Sequence, residues 1–392
     1  MTRYIKLVVC VIATLCTEVA FAQVASTQID ATIQDSTGSS PVAYAYVSSN
    51  PSSNNYEINA FAAASNGKLT PVPGSPFSAD VQDMAVNGKY LFGTNGIYIY
   101  SFSIAPDGAL KQVASINAQQ FNGYNCGGPT ALFLDHTGAT LYDLDYDGNG
   151  CANNAYQFLA IDRSTGGLSY LGVTSDSSVQ FEVPLSFTGN NVYAYGSGCY
   201  HMEGLIFGFK RNSDQTLTDL NINPAMPVAK KGDFYCPSLP TADPTNHLAI
   251  SFQAYNGQSW QPDGPPQLAT YTADSSGNLN TKSTFSNMPK TALTYATDIS
   301  MSPSGRLLAV AGMPGLQVFH FNGSHPITHY TGLLTKDQVD QSFWDNDNHL
   351  YAISRSAGKL FVFTITPTSV RQAPGSPYTI TNPQNIIVLP KT

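Results

Sequence analysis

Charge is what this chain has least of. Only 11% of its 392 residues are Asp, Glu, Lys or Arg, against about 25% in an average soluble domain. Basic residues are the scarcer sign, 18 against 26 acidic ones, for a net charge of −8. They gather nowhere beyond pairs such as Lys230-Lys231. A nucleic-acid partner needs a basic face, and none is expected here. Bundles and coiled coils need Ala, Glu, Lys and Leu on exposed helix faces, and that composition is missing too. Long apolar runs are absent after the first residues, so no transmembrane segment is expected. Cysteines number six and tryptophans two.

What the chain has is turn-formers and aromatics: Gly 32, Pro 25, Tyr 22 and Phe 20. Apolar material at 42% is too plentiful for disorder. The balance fits an all-β protein with many turns. At the N-terminus, Arg3 and Lys6 precede the apolar stretch from Leu7 to Leu15, and Ala20-Phe21-Ala22 follows. A charged region, a short apolar region and a small-x-small site predict a signal peptide over 1–22, cut before Gln23. The stretch is too short for a bilayer, and Glu18 interrupts it. Export to the extracellular space or periplasm follows. Residues 23–41 are Ser/Thr/Gln-rich and patternless, which predicts a flexible lead-in.

Cysteine usage agrees with an oxidising compartment. After the signal, Cys126, Cys151, Cys199 and Cys236 remain, an even number. Four cysteines allow three pairings. The one nearest in sequence joins Cys126 to Cys151 and Cys199 to Cys236. Zinc-type spacing is missing, so disulfides are expected.

From about residue 42 one module recurs. An apolar strand meets a tight turn, then a strand rich in Leu, Tyr and Val. A variable polar loop follows, then an alternating strand ending in an aromatic, a Gly-containing turn, and a last strand opened by an apolar residue. The first turns include Asp135-His136-Thr137-Gly138, Asp243-Pro244-Thr245-Asn246, Ser302-Pro303-Ser304-Gly305 and Asp345-Asn346-Asp347-Asn348. Four copies set the aromatic and the opening residue at one spacing: Phe61/Leu69, Phe102/Leu110, Phe209/Leu217 and Tyr271/Leu279. The fourth strands of the last two modules are expected to open at Ile327 and Val370. Seven third strands and seven fourth strands accompany only six complete modules. The first module begins at its second strand, Ala43 to Ser48, and the apolar tail NPQNIIVLP (382–390) has no partner of its own. Pairing the tail into the first module closes a ring. The expectation over 42–392 is a seven-bladed β-propeller of four-stranded antiparallel blades, sealed by the C-terminal strand in the N-terminal blade.

Gly-Lys-Leu-Thr-Pro-Val-Pro-Gly-Ser-Pro-Phe (67–77) and Gln-Ala-Pro-Gly-Ser-Pro-Tyr (372–378) resemble blade endings of the lactonase-like seven-bladed propellers. That superfamily includes 6-phosphogluconolactonase-type and YncE-like proteins. Ala45-Tyr46-Val47-Ser48 and Ser302 to Leu308 resemble its strand–turn–strand signature. The resemblance implies the fold and, as one option, a lactone hydrolase. The Pro-His-rich and Asp-Leu-Gly segments of the lactonase branch have no counterpart, and Cys126-Gly127-Gly128-Pro129 stands where the His would fall.

In a propeller the loop between second and third strands shares a face with the connection into the next blade. Here those loops are the long ones, and they hold all four cysteines. Loops braced on a rigid scaffold are where function concentrates. Tyr124, Tyr200, His201, Asp233, Tyr235 and Trp260 fall on that face and are candidate ligand contacts. Aromatic platforms beside carboxylates suit a polar ring such as a saccharide, although tyrosines also cover loop cores with their hydroxyls in water. For acid–base chemistry, His201 and Glu203 are the close His/carboxylate pair, with Arg355 in a short loop of the last blade. Asp143, Asp145, Asp147 and Asn149 precede Gly150 in a pattern like the start of a calcium loop. Position twelve is Asn154 rather than a bidentate Glu, and the first two Asp could sit on a strand. No cofactor is otherwise expected. His136, His247 and His349 fall in or beside the first turns, on the opposite face. The sequence thus points to a secreted monomeric propeller that binds a small polar molecule, or an extracellular protein, on its disulfide-pinned face. The alternative is a lactone hydrolase of the 6-phosphogluconolactonase-like type.

Overall fold

The computed structural model describes residues 40–53, 55–120, 128–146, 155–175, 184–200 and 203–391. The expected signal peptide and nearly all of the lead-in lie outside them. Residues 41–391 form one body built almost wholly of strands. Among the described residues these make seven antiparallel sheets.

Blade 1 runs, from the axis outward, Pro383–Pro390, Ala43–Ser52, Asn55–Ala63 and Leu69–Pro71. The tail is therefore the innermost strand of the first blade, in the register Ala43↔Pro390 to Ser48↔Asn385. Blade 2 runs Asp83–Val86, Tyr90–Thr94, Tyr98–Ile104 and Leu110–Asn117. Blade 3 runs Gly128–Leu134, Thr140–Tyr146, Ala155–Ile161 and Leu168–Ser175. Blade 4 runs Ser186–Phe187, Tyr193–Tyr200, Glu203–Arg211 and Leu217–Asp219. Blade 5 runs Asp233–Ala242, His247–Asn256, Gln267–Ala273 and Leu279–Asn280. Blade 6 runs Tyr295–Met301, Leu307–Met313, Gly315–Asn322 and His325–His329. Blade 7 runs Gln341–Trp344, His349–Ser354, Lys359–Thr366 and Ser369–Gln372. The last two outer strands thus open slightly before Ile327 and Val370, because turn residues join the ladder. Blades 1 and 7 each gain a short extra outer piece, Phe77–Ser78 and Tyr378–Thr379. These are the two Gly-Ser-Pro-aromatic endings noted in the sequence.

The core lies between blades rather than inside them. Tyr46 and Ile58 of blade 1 pack with Leu91 and Phe92 of blade 2, and these with Leu141 and Leu159 of blade 3. Tyr142 and Phe158 of blade 3 meet Phe187 and Phe207 of blade 4. Tyr195 of blade 4 meets Ile250 and Phe252 of blade 5. Leu268 of blade 5 meets Val310 of blade 6, and Leu316 of blade 6 meets Leu350 of blade 7. Val362 of blade 7 meets Val47 and Ile386 of blade 1, which closes the circle. Each such side chain is worth about 1.5–3 kcal/mol when fully buried, so every blade depends on two neighbours.

A second device recurs at the rim opposite the long loops. The ring that opens the second strand of one blade lies under the glycine of the next blade's outer turn. Tyr44 lies under Gly108, Tyr90 under Gly166 and Tyr193 under Gly277. An added Cβ would come within 2.6 Å of Tyr44, 2.7 Å of Tyr90 and 2.8 Å of Tyr193. Tyrosine hydroxyls then donate to turn carbonyls: Tyr44 to Pro106 at 2.7 Å, Tyr46 to Gly108 at 3.0 Å, Tyr195 to Gly277 at 2.8 Å. Much of the tyrosine content is therefore structural. His247 under Gly323 and His349 under Gly67 hold the same position in blades 5 and 7. His349 is buried, its Nδ1 2.7 Å from Asp345 Oδ2, which also accepts from Tyr351 at 2.9 Å. These histidines brace the wheel on the face the sequence assigned them.

Candidate functional site

The long-loop face of blades 4 to 6 gathers the clearest site. Its frame is the first strand of blade 5. Cys236 on that strand is bonded to Cys199 at the end of the second strand of blade 4, with their Cα atoms 5.2 Å apart. Ser197 Oγ donates to Ser238 O across the same blade boundary at 2.9 Å. The other expected pair, Cys126 and Cys151, lies outside the described residues.

From this frame the loop 257–266 rises between the second and third strands of blade 5. Asn256 shapes it: its Oδ1 accepts from Gln258 N at 2.9 Å and Ser259 N at 3.0 Å. This turn places Trp260 at φ +58°, a left-handed conformation that is an outlier for so bulky a residue. Trp260 is nonetheless 53% exposed. Its ring meets Phe234 edge-on at 5.9 Å, and Phe234 stacks on Tyr255 at 5.8 Å. Tyr255 then faces a cleft of about 640 Å³ between blades 5 and 6. Pro262, Pro265 and Pro266 wall one side, and Leu293 to Ala296 wall the other. Tyr295 stands on the far rim, 41% exposed, its hydroxyl 3.1 Å from Gln338 Oε1. Ser238, Ser251 and Gln253 supply the polar part of the lining. Ser251 Oγ is buried there with no hydrogen-bond partner.

Behind the loop sits a charged cluster. Lys230 Nζ is 3.0 Å from Asp263 and 4.0 Å from the nearly buried Asp233. Burial, then the adjoining Asp263 carboxyl, push the Asp233 pKa up. The Lys230 hydrogen bond holds that of Asp263 down.

The sequence candidates divide. Asp233 and Trp260 belong to this blade 5 assembly. Tyr235 does not face solvent: only 5% of it is exposed and its hydroxyl donates to buried Gln267 at 2.8 Å. It supports the floor instead of offering a contact, because its side of the strand turns into the blade 4–5 core. Tyr200 and Glu203 pair in register where the second and third strands of blade 4 meet. Tyr124 and His201 lie outside the described residues. Arg355 serves another place: its guanidinium donates to Gln384 O at 2.7 and 3.2 Å, tying blade 7 to the closing strand. Asp143 and Asp145 stand within the strand Thr140–Tyr146, opposite Gln157 and Ala155. Asp143 is buried. Asp147 and Asn149 lie outside the described residues. Sequence reading missed Phe234, Tyr255, Tyr295 and Asp263. Their only sequence signal was position, at loop-face ends of strands or in the loop itself.

The inner strands carry a second polar feature. Asp83 accepts from Leu132 N at 2.6 Å and from Asn385 Nδ2 at 2.5 Å, joining blades 1, 2 and 3. Asp298 accepts from Ser342 N and Oγ, both at 2.8 Å, joining blades 6 and 7. Asp298 also borders a cavity of about 180 Å³ with Ser186 and Pro240. Burial raises the pKa of both carboxyls, that of Asp83 to about 7.

No protein-family model and no curated protein matches the chain. Solved structures do. The periplasmic gluconolactonase of Pseudomonas aeruginosa superposes with a TM-score of 0.63 at 14% identity, over 88% of this chain and 99% of that one. A protein described as a "putative 6-phosphogluconolactonase" from Bacteroides fragilis gives 0.59 at 14% identity, over 90% and 99%. Hydrazine synthase of Kuenenia stuttgartiensis gives 0.54 at 12% identity, over 79% and 90%. At these identities the superpositions show the fold, and a fold by itself does not set a reaction. No helix among the described residues is long and apolar enough to cross a membrane. By topology, closure and superposition, the chain has the fold of the 6-phosphogluconolactonase-like seven-bladed β-propellers.

Proposed function

We propose that this protein is an exported, non-catalytic propeller that binds a small polar ligand on the loop face of blades 4 to 6. One observation carries the reading: the cleft of about 640 Å³ beside the disulfide, edged by Tyr255 and Tyr295 and flanked by the exposed, strained Trp260. Strain of this kind costs on the order of 1–3 kcal/mol and collects at ligand clamps. The volume falls within the range of small-molecule sites, about 300–1,000 Å³. The Cys199–Cys236 bond supports export, since such bonds persist in oxidising compartments. A thermal-shift screen of the mature protein against a broad set of small polar compounds tests this. A ligand present at 100 times its Kd should add about 2.7 kcal/mol to stability. A screen in which no compound of any class raises Tm removes the reading.

The second reading is a lactone hydrolase, favoured by the superposition on gluconolactonases. His201, Glu203 and Arg355 are the groups to change. Turnover of a sugar-lactone panel that drops on His201→Ala and Glu203→Ala supports this site. Turnover that survives both changes removes it, and no turnover at all returns the argument to binding.

A further inference from the structure

We infer that the cleft between blades 5 and 6 takes an uncharged oligosaccharide of two or three rings, and that it discriminates against phosphorylated or acidic sugars. This rests on the ligand-binding reading above. The first argument is charge. The lining comprises Ser238, Ser251, Gln253, Tyr255, Thr294 and Tyr295 with Pro, Gly, Leu and Ala, and none of these is ionisable at neutral pH. Neither cation about this loop belongs to the lining: Lys230 is engaged by Asp263 and Asp233, and Lys290 Nζ lies over the Phe285 ring at 5.3 Å. A phosphate or carboxylate entering here would lose part of its hydration and meet neutral donors but no cation to offset that loss. The chain's net charge of −8 works in the same direction.

The second argument is the kind of polar group. Hydroxyls and a carboxamide both donate and accept, which matches sugar hydroxyls, since these also do both. Ser251 Oγ is buried beneath this lining with no hydrogen-bond partner. The aromatic rims supply faces for the apolar side of a pyranose ring. An extended peptide gains less on the blade 5 side, where Tyr255 already bridges Pro262 and leaves no open ladder there for strand addition.

The chain provides its own reporter. Of its two tryptophans, Trp344 is buried and donates to Ser300 O at 3.2 Å, so solvent-exposed emission belongs to Trp260. The experiment titrates the mature protein with neutral trisaccharides of glucose, mannose, galactose and N-acetylglucosamine. Their 6-phosphorylated and uronic-acid counterparts are run alongside, read by calorimetry and Trp emission. At least one neutral trisaccharide should bind and shift the emission. Its charged counterpart should bind at least tenfold more weakly. Tyr295→Ala should weaken binding at least tenfold, while Tyr295→Phe, which keeps the ring, should stay within threefold. Tyr295 is exposed, so these variants should fold, and the wild-type charge preference is an independent check that needs no variant. Charged sugars binding as well as neutral ones, or unchanged affinity in Tyr295→Ala, overturns the inference. So does binding of a Pro-rich peptide alone. If another small compound binds and no sugar does, the saccharide inference falls while the ligand-binding reading stands; if nothing binds, both fall.

Discussion

Asp83→Asn isolates the chemistry of the ring closure. Asp83 Oδ2 holds Leu132 N of blade 3, and Oδ1 holds Asn385 of the closing strand. Burial is the largest influence and lifts the carboxyl from 3.8 to about 7, against the lowering effect of the Leu132 and Met84 amides and of Arg355. The folded protein therefore grips this proton more tightly than the unfolded chain does. Stability from this group is fully present below pH 3.8, falls as pH rises, and has been lost once pH passes about 7. A displacement of that size corresponds to about 4 kcal/mol at most. The residue as a whole is half-buried, so solvent relaxation should reduce the effect to about 1–3 kcal/mol. Asparagine keeps an oxygen for Leu132 N. Its amide nitrogen replaces the oxygen that Asn385 Nδ2 donates to, so the Asn385 amide must turn over and accept through Oδ1, which has no partner in the wild type. The assay is urea unfolding of both proteins from pH 4.5 to 8. The variant should gain on the wild type steadily up to pH 7 and hold that lead above it. A difference that is flat with pH, or that grows on acidification, refutes the reasoning.

Removing residues 383–392 deletes the inner strand of blade 1 and should abolish a single cooperative unfolding transition. An unchanged urea curve would show that the seam does not hold the ring. Gly108→Ala should cost about 1–3 kcal/mol beyond Gly88→Ala. Both glycines have positive φ, but only Gly108 has a neighbouring ring within 4 Å. Equal losses would assign the whole effect to backbone strain. Asp345→Ala leaves His349 and Tyr351 unpaired in a buried site and should lose at least about 3 kcal/mol in chemical denaturation. Cys199→Ser with Cys236→Ser opens a loop of 37 residues, worth about 4 kcal/mol by loop entropy. If the disulfide also holds the cleft, ligand affinity should fall in the same variant.

The wheel was legible because it is written in residues that cannot do anything else. Turns such as Asp135–Gly138 and Ser302–Gly305 join the strands they were expected to join. The pairs Phe61/Leu69 and Tyr271/Leu279 mark ladders on either side of an outer turn. The orphan tail found its partner because an apolar strand with no neighbour in its own module has one place left to pair. The cleft was only half legible. Trp260 announces itself as one of two tryptophans, but Tyr255 and Tyr295 come from different blades, and only the packing of those blades sets the gap between them. Tyr235 misled because an aromatic near a strand end reads the same whether it faces the rim or the core; its partner Gln267 comes from the next-but-one strand of the blade.

One signal was present and passed over. The pairs Tyr44/Gly108, Tyr90/Gly166, Tyr193/Gly277, His247/Gly323 and His349/Gly67 each set a ring at the head of one blade's second strand against a glycine in the next blade's outer turn. The tyrosine rings leave no room for a Cβ at Gly108, Gly166 and Gly277, the histidine rings leave only a tight fit at Gly323 and Gly67, and the positive φ of every such turn already favours glycine. Two independent pressures therefore converge on one residue, one module further round. The last pair runs from blade 7 to blade 1, so the rule crosses the seam just as the strands do. A repeat read this way yields the direction in which the blades lean as well as their number, and it explains why histidines that could pass for catalytic groups stand at structural positions on the opposite rim.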